Sequence, residues 1–215
     1  MTSERRLGVI RFPGSNCDHD VFAFVKEKSF LPVFLWHLDQ FEVNDFEALI
    51  LPGGFSYGDY LRSGALSARS PVMKSVREFA QKGGPVLGIC NGFQILCEAN
   101  LLPGALVKNQ GLRFIDDWVS LSVQKKTSFW GANFQANQIR LPIAHGDGRF
   151  YAPEDELKSL EDKNCVWLKY VGNPNGSIHD IAGVTNVQGN VAGLMPHPER
   201  AFRDWMGGLD GWGIL

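Results

Sequence analysis

Pro85-Val86-Leu87-Gly88-Ile89-Cys90-Asn91-Gly92-Phe93-Gln94 decides how the rest of the chain is read. It opens as a short apolar run after Gly83-Gly84, the mark of a buried strand. From Phe93 to Leu102 the apolar residues Phe93, Leu96, Cys97 and Leu101 recur at helical spacing. Between strand and helix stands G-x-C-x-G, Gly88 to Gly92, in the context that makes a G-x-S-x-G nucleophile elbow. A residue at the apex of so sharp a turn is strained, and side chains two positions away would collide with it, which is what the glycines relieve. The helix N-terminus aims free N–H groups at the Cys90 sulfur and favours its thiolate. It also places the Asn91 N–H to stabilise an oxyanion. A lone cysteine after a strand is ordinarily a packing residue; the paired glycines and the following helix turn the reading toward a nucleophile.

Working outward, Leu7 to Phe12 reads as a strand and Pro13-Gly14-Ser15-Asn16 as a turn, with Ser15 or Asn16 as N-cap. A helix then runs to about Ser29 with Val21, Phe22 and Val25 on one face. Pro32 to Leu38 and Ala48 to Leu51 are further strands, and a helix from Ser70, with Pro71 in its first turn, stops at Gly83. Strands alternating with helices predict a parallel sheet covered on both faces. After residue 110 the texture changes. Arg113 to Lys126 and Gln138 to Ile143 alternate as antiparallel strands do. His145 to Arg149 is a loop, Glu154 to Lys163 a charged helix with a solvated face, Cys165 to Val171 a strand, and Asn173-Pro174-Asn175-Gly176-Ser177 a turn. Val191 to Met195 is a last strand, and the tail from Gly207 has little periodicity. No repeat, low-complexity run or linker divides residues 1–215, so a single domain is expected.

Composition sets the bounds. With 44% hydrophobic and 20% charged residues the chain supports a real core, and a net charge of −2 without a basic block excludes a nucleic-acid footprint. Four cysteines without C-x-x-C argue against a zinc site or a disulfide scaffold. Met1 to Arg6 carry no secretory apolar core, and no run approaches a membrane span, so a reducing cytoplasm is expected.

A cysteine nucleophile needs a base and an orienting acceptor. Of the five histidines, His197 follows a buried-looking strand directly, as Cys90 does, and strand ends gather on one edge of a parallel sheet. Pro196 and Pro198 hold it extended, which puts Glu199 on its side of the chain as an acceptor. Taken alone this pair reads equally well as a loop histidine beside a surface glutamate. Gly53-Gly54 also ends a strand and lets a backbone N–H approach a substrate oxygen, giving Gly54 with Asn91 as a two-donor oxyanion hole. No G-x-G-x-x-G or G-x-x-x-x-G-K is present, so nucleotide binding is not expected.

Gly88-x-Cys90-x-Gly92-x-Gln94 with Pro196-His197-Pro198-Glu199 resembles the triad, or class I, glutamine amidotransferases. Phe12 to Asp18, Leu51 to Asp59, Pro142 to Arg149, Asn173 to Ser177 and Met195 to Arg200 narrow the resemblance to the glutaminase subunits of phosphoribosylformylglycinamidine synthases, over residues 7–214. Asp147 departs slightly, standing where that family more often has glutamate. The resemblance implies a flavodoxin-like, mainly parallel α/β sheet with helices on both faces and an added antiparallel portion. It implies glutamine hydrolysis with Cys90 as nucleophile, His197 as acid and base, and Glu199 orienting it. It implies substrate contacts from Gly53, Phe55 and Gln94. His145 and Asp147 fit two readings equally, a plain turn or a pair holding the glutamine α-amino and α-carboxylate groups. It implies no metal or organic cofactor here; ATP and Mg are expected on a large synthetase subunit, accompanied by a small third subunit. Cys17 lacks the elbow and reads as a structural or interface residue. The alternatives are another cysteine hydrolase of the same fold, such as a γ-glutamyl hydrolase, and a non-catalytic regulatory subunit.

Overall fold

The computed structural model of the chain describes residues 5–125, 127 and 129–215. Met1 to Glu4 and Lys126, which entered the readings of the N-terminus and of the first alternating stretch, lie outside the described residues. The order of elements is β1 (Arg6–Arg11), α1 (Asp18–Glu27), β2 (Leu31–Trp36), β3 (Ala48–Leu51), α2 (Val72–Gln81), β4 (Val86–Ile89) and α3 (Asn91–Glu98). There follow β5 (Ala105–Val107), β6 (Ile115–Val123), β7 (Gln138–His145), β8 (Arg149–Tyr151), α4 (Glu154–Asp162), β9 (Val166–Val171), β10 (Ile181–Thr185) and β11 (Val191–Leu194). One nine-stranded sheet runs β2-β1-β3-β4-β11-β10-β9-β6-β7, and β5 pairs with β8 apart from it.

The first five strands of that sheet are parallel and the remaining pairings antiparallel, as the change of texture predicted. The reason lies in the side chains. Every residue of β3, β4 and β11 is buried, the signature of strands covered on both faces. In β7, at the far edge, exposed or half-buried residues alternate with buried ones, so this strand has a single covered face, whereas the antiparallel β10 is buried throughout. From the middle of the sheet, β1-α1-β2 steps one way and β3-α2-β4 the other. Right-handed crossovers therefore put α1 and α2 on opposite faces, and the switch in direction opens a crevice at the carboxyl ends of β1 and β3. Their loops interlock there: Gly14 O accepts the Phe55 N–H, Pro13 O the Tyr57 N–H, and Gly53 O the Cys17 N–H.

Several local readings are corrected. Phe24, not Phe22, is buried beneath α1, and Phe22 packs half-buried against Phe34. The N-cap of α1 is Cys17; the Ser15 hydroxyl instead accepts the Phe12 N–H and closes the turn. Pro71 is the N-cap of α2 rather than part of its first turn. α4 is charged on one side only, because Leu157 and Leu160 are buried. β5, β8 and β10 are strands that the periodicity did not announce; β10 has a register shift at Gly183, which breaks its short pattern. The tail folds into short 3-10 turns at Asp204–Met206 and Asp210–Ile214, and Ile214 is fully buried.

Gly92 packs so closely that a Cβ there would lie 1.9 Å from Leu51 O, whereas one on Gly111 would meet nothing within 4 Å. Gly92→Ala is expected to cost about 3 kcal/mol or more, or to prevent folding. Gly111→Ala should stay within about 0.5 kcal/mol of the parent. Urea unfolding of the two variants checks this; equal stabilities would contradict the packing account.

Candidate active site

β4 ends at Ile89 and α3 begins at Asn91, so Cys90 alone makes the turn, with φ 50° and ψ −106°. This left-handed conformation is strained in any residue with a Cβ. Its neighbours are glycine for steric reasons: a Cβ on Gly88 would come within 2.6 Å of the Gly92 carbonyl. The Cys90 N–H is held by Leu194 O at 2.8 Å, tying the elbow to β11.

β11 delivers the second group. His197 sits three residues beyond Leu194, its N–H bonded to Pro142 O at 2.8 Å and its Nδ1 2.6 Å from Glu199 Oε1. His197 and Glu199 are 1% and 0% exposed. The predicted pairing is present, but by another route than an extended chain, since Pro198–Arg200 forms a 3-10 turn. His197 Nε2 has no protein partner among the described residues. Gly53 marks where the groups converge: a Cβ there would lie 2.7 Å from His197 Cε1, 3.2 Å from Cys17 Sγ and 3.4 Å from Cys90 Cβ. The site thus requires glycine at this position.

A cavity of about 510 Å³ opens over these groups. Gly54, Phe55, Cys90, Gln94, His145, Asp147 and His197 line it; Gly53, Asn91 and Glu199 are not among its lining residues. Gln94 is fixed at both ends, its Oε1 accepting from Asn91 Nδ2 at 2.8 Å and its Nε2 donating to Asp147 O at 2.6 Å. Gly54 has φ 146°, and a Cβ there would strike Gly14 O at 2.5 Å. Because the trans peptide opposes C=O and N–H, the Cys17 N–H bond to Gly53 O turns the Gly54 N–H to the other side. Among the described residues, neither that N–H nor that of Asn91 is donated to a protein acceptor.

Sequence reasoning missed several participants. Asn109, fully buried, donates to His145 O and Arg113 O at 2.8 Å and accepts from His145 Nδ1 and the Gly148 N–H at 3.1 Å. With its amide nitrogen committed to carbonyls, its oxygen faces His145 Nδ1, which therefore carries the proton and leaves Nε2 an acceptor. Cys17 lies nearer the chemistry than its reading as a structural or interface residue implies. It lines the cavity, and Arg200 Nη2 donates to its sulfur at 3.1 Å. Burial pushes its thiol pKa up, so Cys17 is protonated at neutral pH.

The two cavity histidines are driven apart. Burial pulls the His197 pKa down, but the Glu199 carboxylate and then Cys90 outweigh it, and the net shift is well upward. Burial, then the positive charge of His197, lowers His145 to about 4. At neutral pH one imidazole is a cation beside Cys90 and the other a neutral acceptor.

Fold and site together define a triad-type glutamine amidotransferase. Residues 4–209 match the family of CobB/CobQ-like glutamine amidotransferase domains. The chain is 53% identical over 211 residues to a phosphoribosylformylglycinamidine synthase subunit PurQ of Prochlorococcus marinus (strain NATL2A), covering 97% of both chains. It is 54% identical over 209 residues to the PurQ subunit of Nostoc sp. (strain PCC 7120 / SAG 25.82 / UTEX 2576), covering 96% of this chain and 93% of that one. A chain in the structure of PurLQS from Thermotoga maritima superposes with a TM-score of 0.89 at 45% identity, covering 98% and 95%. A glutamine amidotransferase of Thermotoga maritima, 19% identical with a TM-score of 0.63 over 92% and 77%, shares the fold. The chain belongs to the PurQ family of phosphoribosylformylglycinamidine synthase subunits.

The lowered pKa of His145 has a consequence for stability. Below about pH 6.5 the unfolded chain binds a proton at this histidine, while the folded chain does not until about pH 4. Its contribution is thus complete above pH 6.5 and lost as pH falls toward 4, by about 3 kcal/mol over that window. Urea unfolding of the wild type and of His145→Gln from pH 7 to 4 should give a shallower pH slope in the variant; identical slopes would contradict a neutral, buried His145.

Proposed function

We propose that Cys90, His197 and Glu199 hydrolyse L-glutamine within the glutamine amidotransferase component of phosphoribosylformylglycinamidine synthase. The observation that carries the reading is the convergence of Cys90, His197 and the Gly53-Gly54 strand end at one buried point, with Glu199 on the far side of the imidazole.

The Cys90 sulfur attacks the carboxamide carbon of glutamine, and the C–O π electrons move onto oxygen. The N–H groups of Gly54 and Asn91 stabilise that oxyanion. His197, held as a cation by Glu199, gives its proton to the departing nitrogen, so ammonia leaves and a γ-glutamyl thioester remains on Cys90. His197, now neutral, takes a proton from water, the hydroxide adds to the thioester carbon, and the sulfur departs to release glutamate. Glu199 holds the imidazole in position through both steps. Gln94, pinned between Asn91 and Asp147, and the aromatic face of Phe55 shape the channel for the glutamine side chain, with His145 and Asp147 further along it.

The same reading extends to the assembly. The Thermotoga maritima chain with a TM-score of 0.89 belongs to a PurLQS structure. This chain is proposed to work with a large ATP- and Mg-binding synthetase subunit and a small third subunit. There the ammonia converts formylglycinamide ribonucleotide to formylglycinamidine ribonucleotide, in de novo purine biosynthesis. No helix of the described residues is long and apolar enough to cross a membrane. The cytoplasm, which keeps Cys90 reduced, is the proposed compartment.

Cys90→Ala should abolish glutamine-dependent synthesis while the complex still uses added ammonia; undiminished use of glutamine by the variant would end the assignment. Glu199→Gln should keep the fold and slow turnover by roughly one to three orders of magnitude. The check is kcat beside the melting temperature, and a large loss of stability with unchanged turnover would assign Glu199 to structure. Activity should also depend on partners. The loop that starts at Gly54 continues through Tyr57, Asp59 and Leu61 at φ 52°, 54° and 68°, a strained run able to hold two states. Losing one oxyanion donor costs ~10²–10³ in rate, and the isolated chain should be slower than the liganded complex by that order. Equal rates would contradict gating by this loop.

A further inference from the structure

Cys17 takes no part in the hydrolysis steps, yet it stands beside the histidine that does. Its sulfur, an imidazole nitrogen of His197 and a carboxylate oxygen of Glu199 all lie within 4.8 Å of one another. Cys90 does not belong to that group. Cys17, His197 and Glu199 are 4%, 1% and 0% exposed. Independently of the cysteine, His197 Nε2 and Glu199 Oε2 are buried without a partner among the described residues, and buried polar atoms in that state call for a ligand. The lack of a Cβ at Gly53 keeps the space between sulfur and ring open, since one there would lie 2.7 Å from His197 Cε1 and 3.2 Å from Cys17 Sγ. Cys17 and His197 both line the cavity that contains Cys90, which gives an entry path from solvent.

We propose that Cys17, His197 and Glu199 form a site for a thiophilic divalent cation of the Zn²⁺ kind, and that an ion bound there inhibits the enzyme by taking the imidazole out of the triad. The inhibition rests on the glutaminase reading above; the binding does not. Thiolate, imidazole and carboxylate are zinc donors, whereas Mg²⁺ and Ca²⁺ take oxygen ligands. Ligand atoms at about 2.0–2.3 Å from a tetrahedral zinc ion lie roughly 3.3–3.8 Å apart. Side-chain rotations of Cys17 and Glu199 close the difference from 4.8 Å. Charge agrees as well. Burial keeps Cys17 a thiol, and Glu199 keeps His197 a cation. An ion that displaces one proton from each exchanges two positive charges for two and leaves the buried charge unchanged. Arg200 is compatible with the ion, because its own charge is met by Asp20 Oδ2 at 3.0 Å. Its Nη2 donates to Cys17 Sγ at 3.1 Å, the place of an outer-shell donor that orients a metal-bound sulfur. Such an ion is an inhibitor and not a cofactor, since hydrolysis needs the proton on His197. No C-x-x-C spacing announces the site, because its ligands come from the two ends of the chain.

Co²⁺ reports the site directly, because a thiolate ligand gives it a sulfur-to-metal charge-transfer band in the near ultraviolet. Titrated into the purified full chain, Co²⁺ should give that band with the wild type and with Cys90→Ala, and not with Cys17→Ala. In the complex with the synthase partners, Zn²⁺ should inhibit glutamine hydrolysis, each protein being compared with its own rate before Zn²⁺ is added. The Zn²⁺ concentration for half inhibition should rise in Cys17→Ala by more than the ~10–100-fold that loss of an outer-shell partner costs. If Cys17→Ala does not fold, Cys17→Ser, which keeps the volume of the side chain, is read in the same way. A band that vanishes in Cys90→Ala, persists in Cys17→Ala or is absent from the wild type would overturn the site. Half inhibition at the same Zn²⁺ concentration in wild type and Cys17→Ala would overturn its inhibitory role. A wild-type complex that hydrolyses no glutamine before Zn²⁺ is added would remove the glutaminase reading and leave the Co²⁺ band to decide the site.

Discussion

The structure depends on one backbone conformation, Cys90 at φ 50° and ψ −106° between β4 and α3. Holding a side-chain-bearing residue there costs of order 1–3 kcal/mol, and the surrounding structure leaves no relaxed alternative. The four residues of β4 are buried between β3 and β11, the Cys90 N–H is bonded to Leu194 O, and α3 presses Gly92 against Leu51 O. In exchange the sulfur stands at the start of a helix whose Asn91 N–H is given to no protein acceptor among the described residues, with β11 bringing His197 to the same edge. A relaxed turn would move the sulfur away from the imidazole and the Asn91 N–H together.

Electrostatics does the rest with few parts. Glu199 and His197 are so deeply buried that each would be costly alone, and their 2.6 Å contact offsets that cost while fixing the imidazole. His145, at the end of β7, the strand that receives the His197 N–H, is kept neutral by the same burial without a carboxylate on its ring. Two imidazoles in one cavity therefore take opposite charge states. Cys17 and Cys90 are both buried near His197, but Cys90 alone occupies the elbow.

What was legible in the sequence was whatever is encoded over short distances. The elbow could be read because its steric demands fall on Gly88 and Gly92, two residues either side of Cys90. His197 and Glu199 could be read because they are two apart, although a 3-10 turn rather than an extended chain joins them. The change from parallel to antiparallel strands was visible as a change from continuous apolar runs to the alternation of β6 and β7. Contacts between distant segments were not visible. Nothing local announces that Asn109 fixes the tautomer of His145, that Asp59 faces Asp147 across the cavity, or that Cys17 reaches His197 and Arg200. β10 escaped because a glycine and a register shift interrupt five residues.

The central claim, that the elbow and not mere burial selects the attacking thiol, can be tested on all four cysteines at once. A glutamine-shaped electrophile such as 6-diazo-5-oxo-L-norleucine reacts with the sulfur that would attack the amide carbon. Peptide mapping after treatment should find the adduct on Cys90 alone, with glutamine protecting it and Cys17 unmodified although it lines the same cavity. An adduct on Cys17, or labelling shared among the cysteines and indifferent to glutamine, would contradict the account.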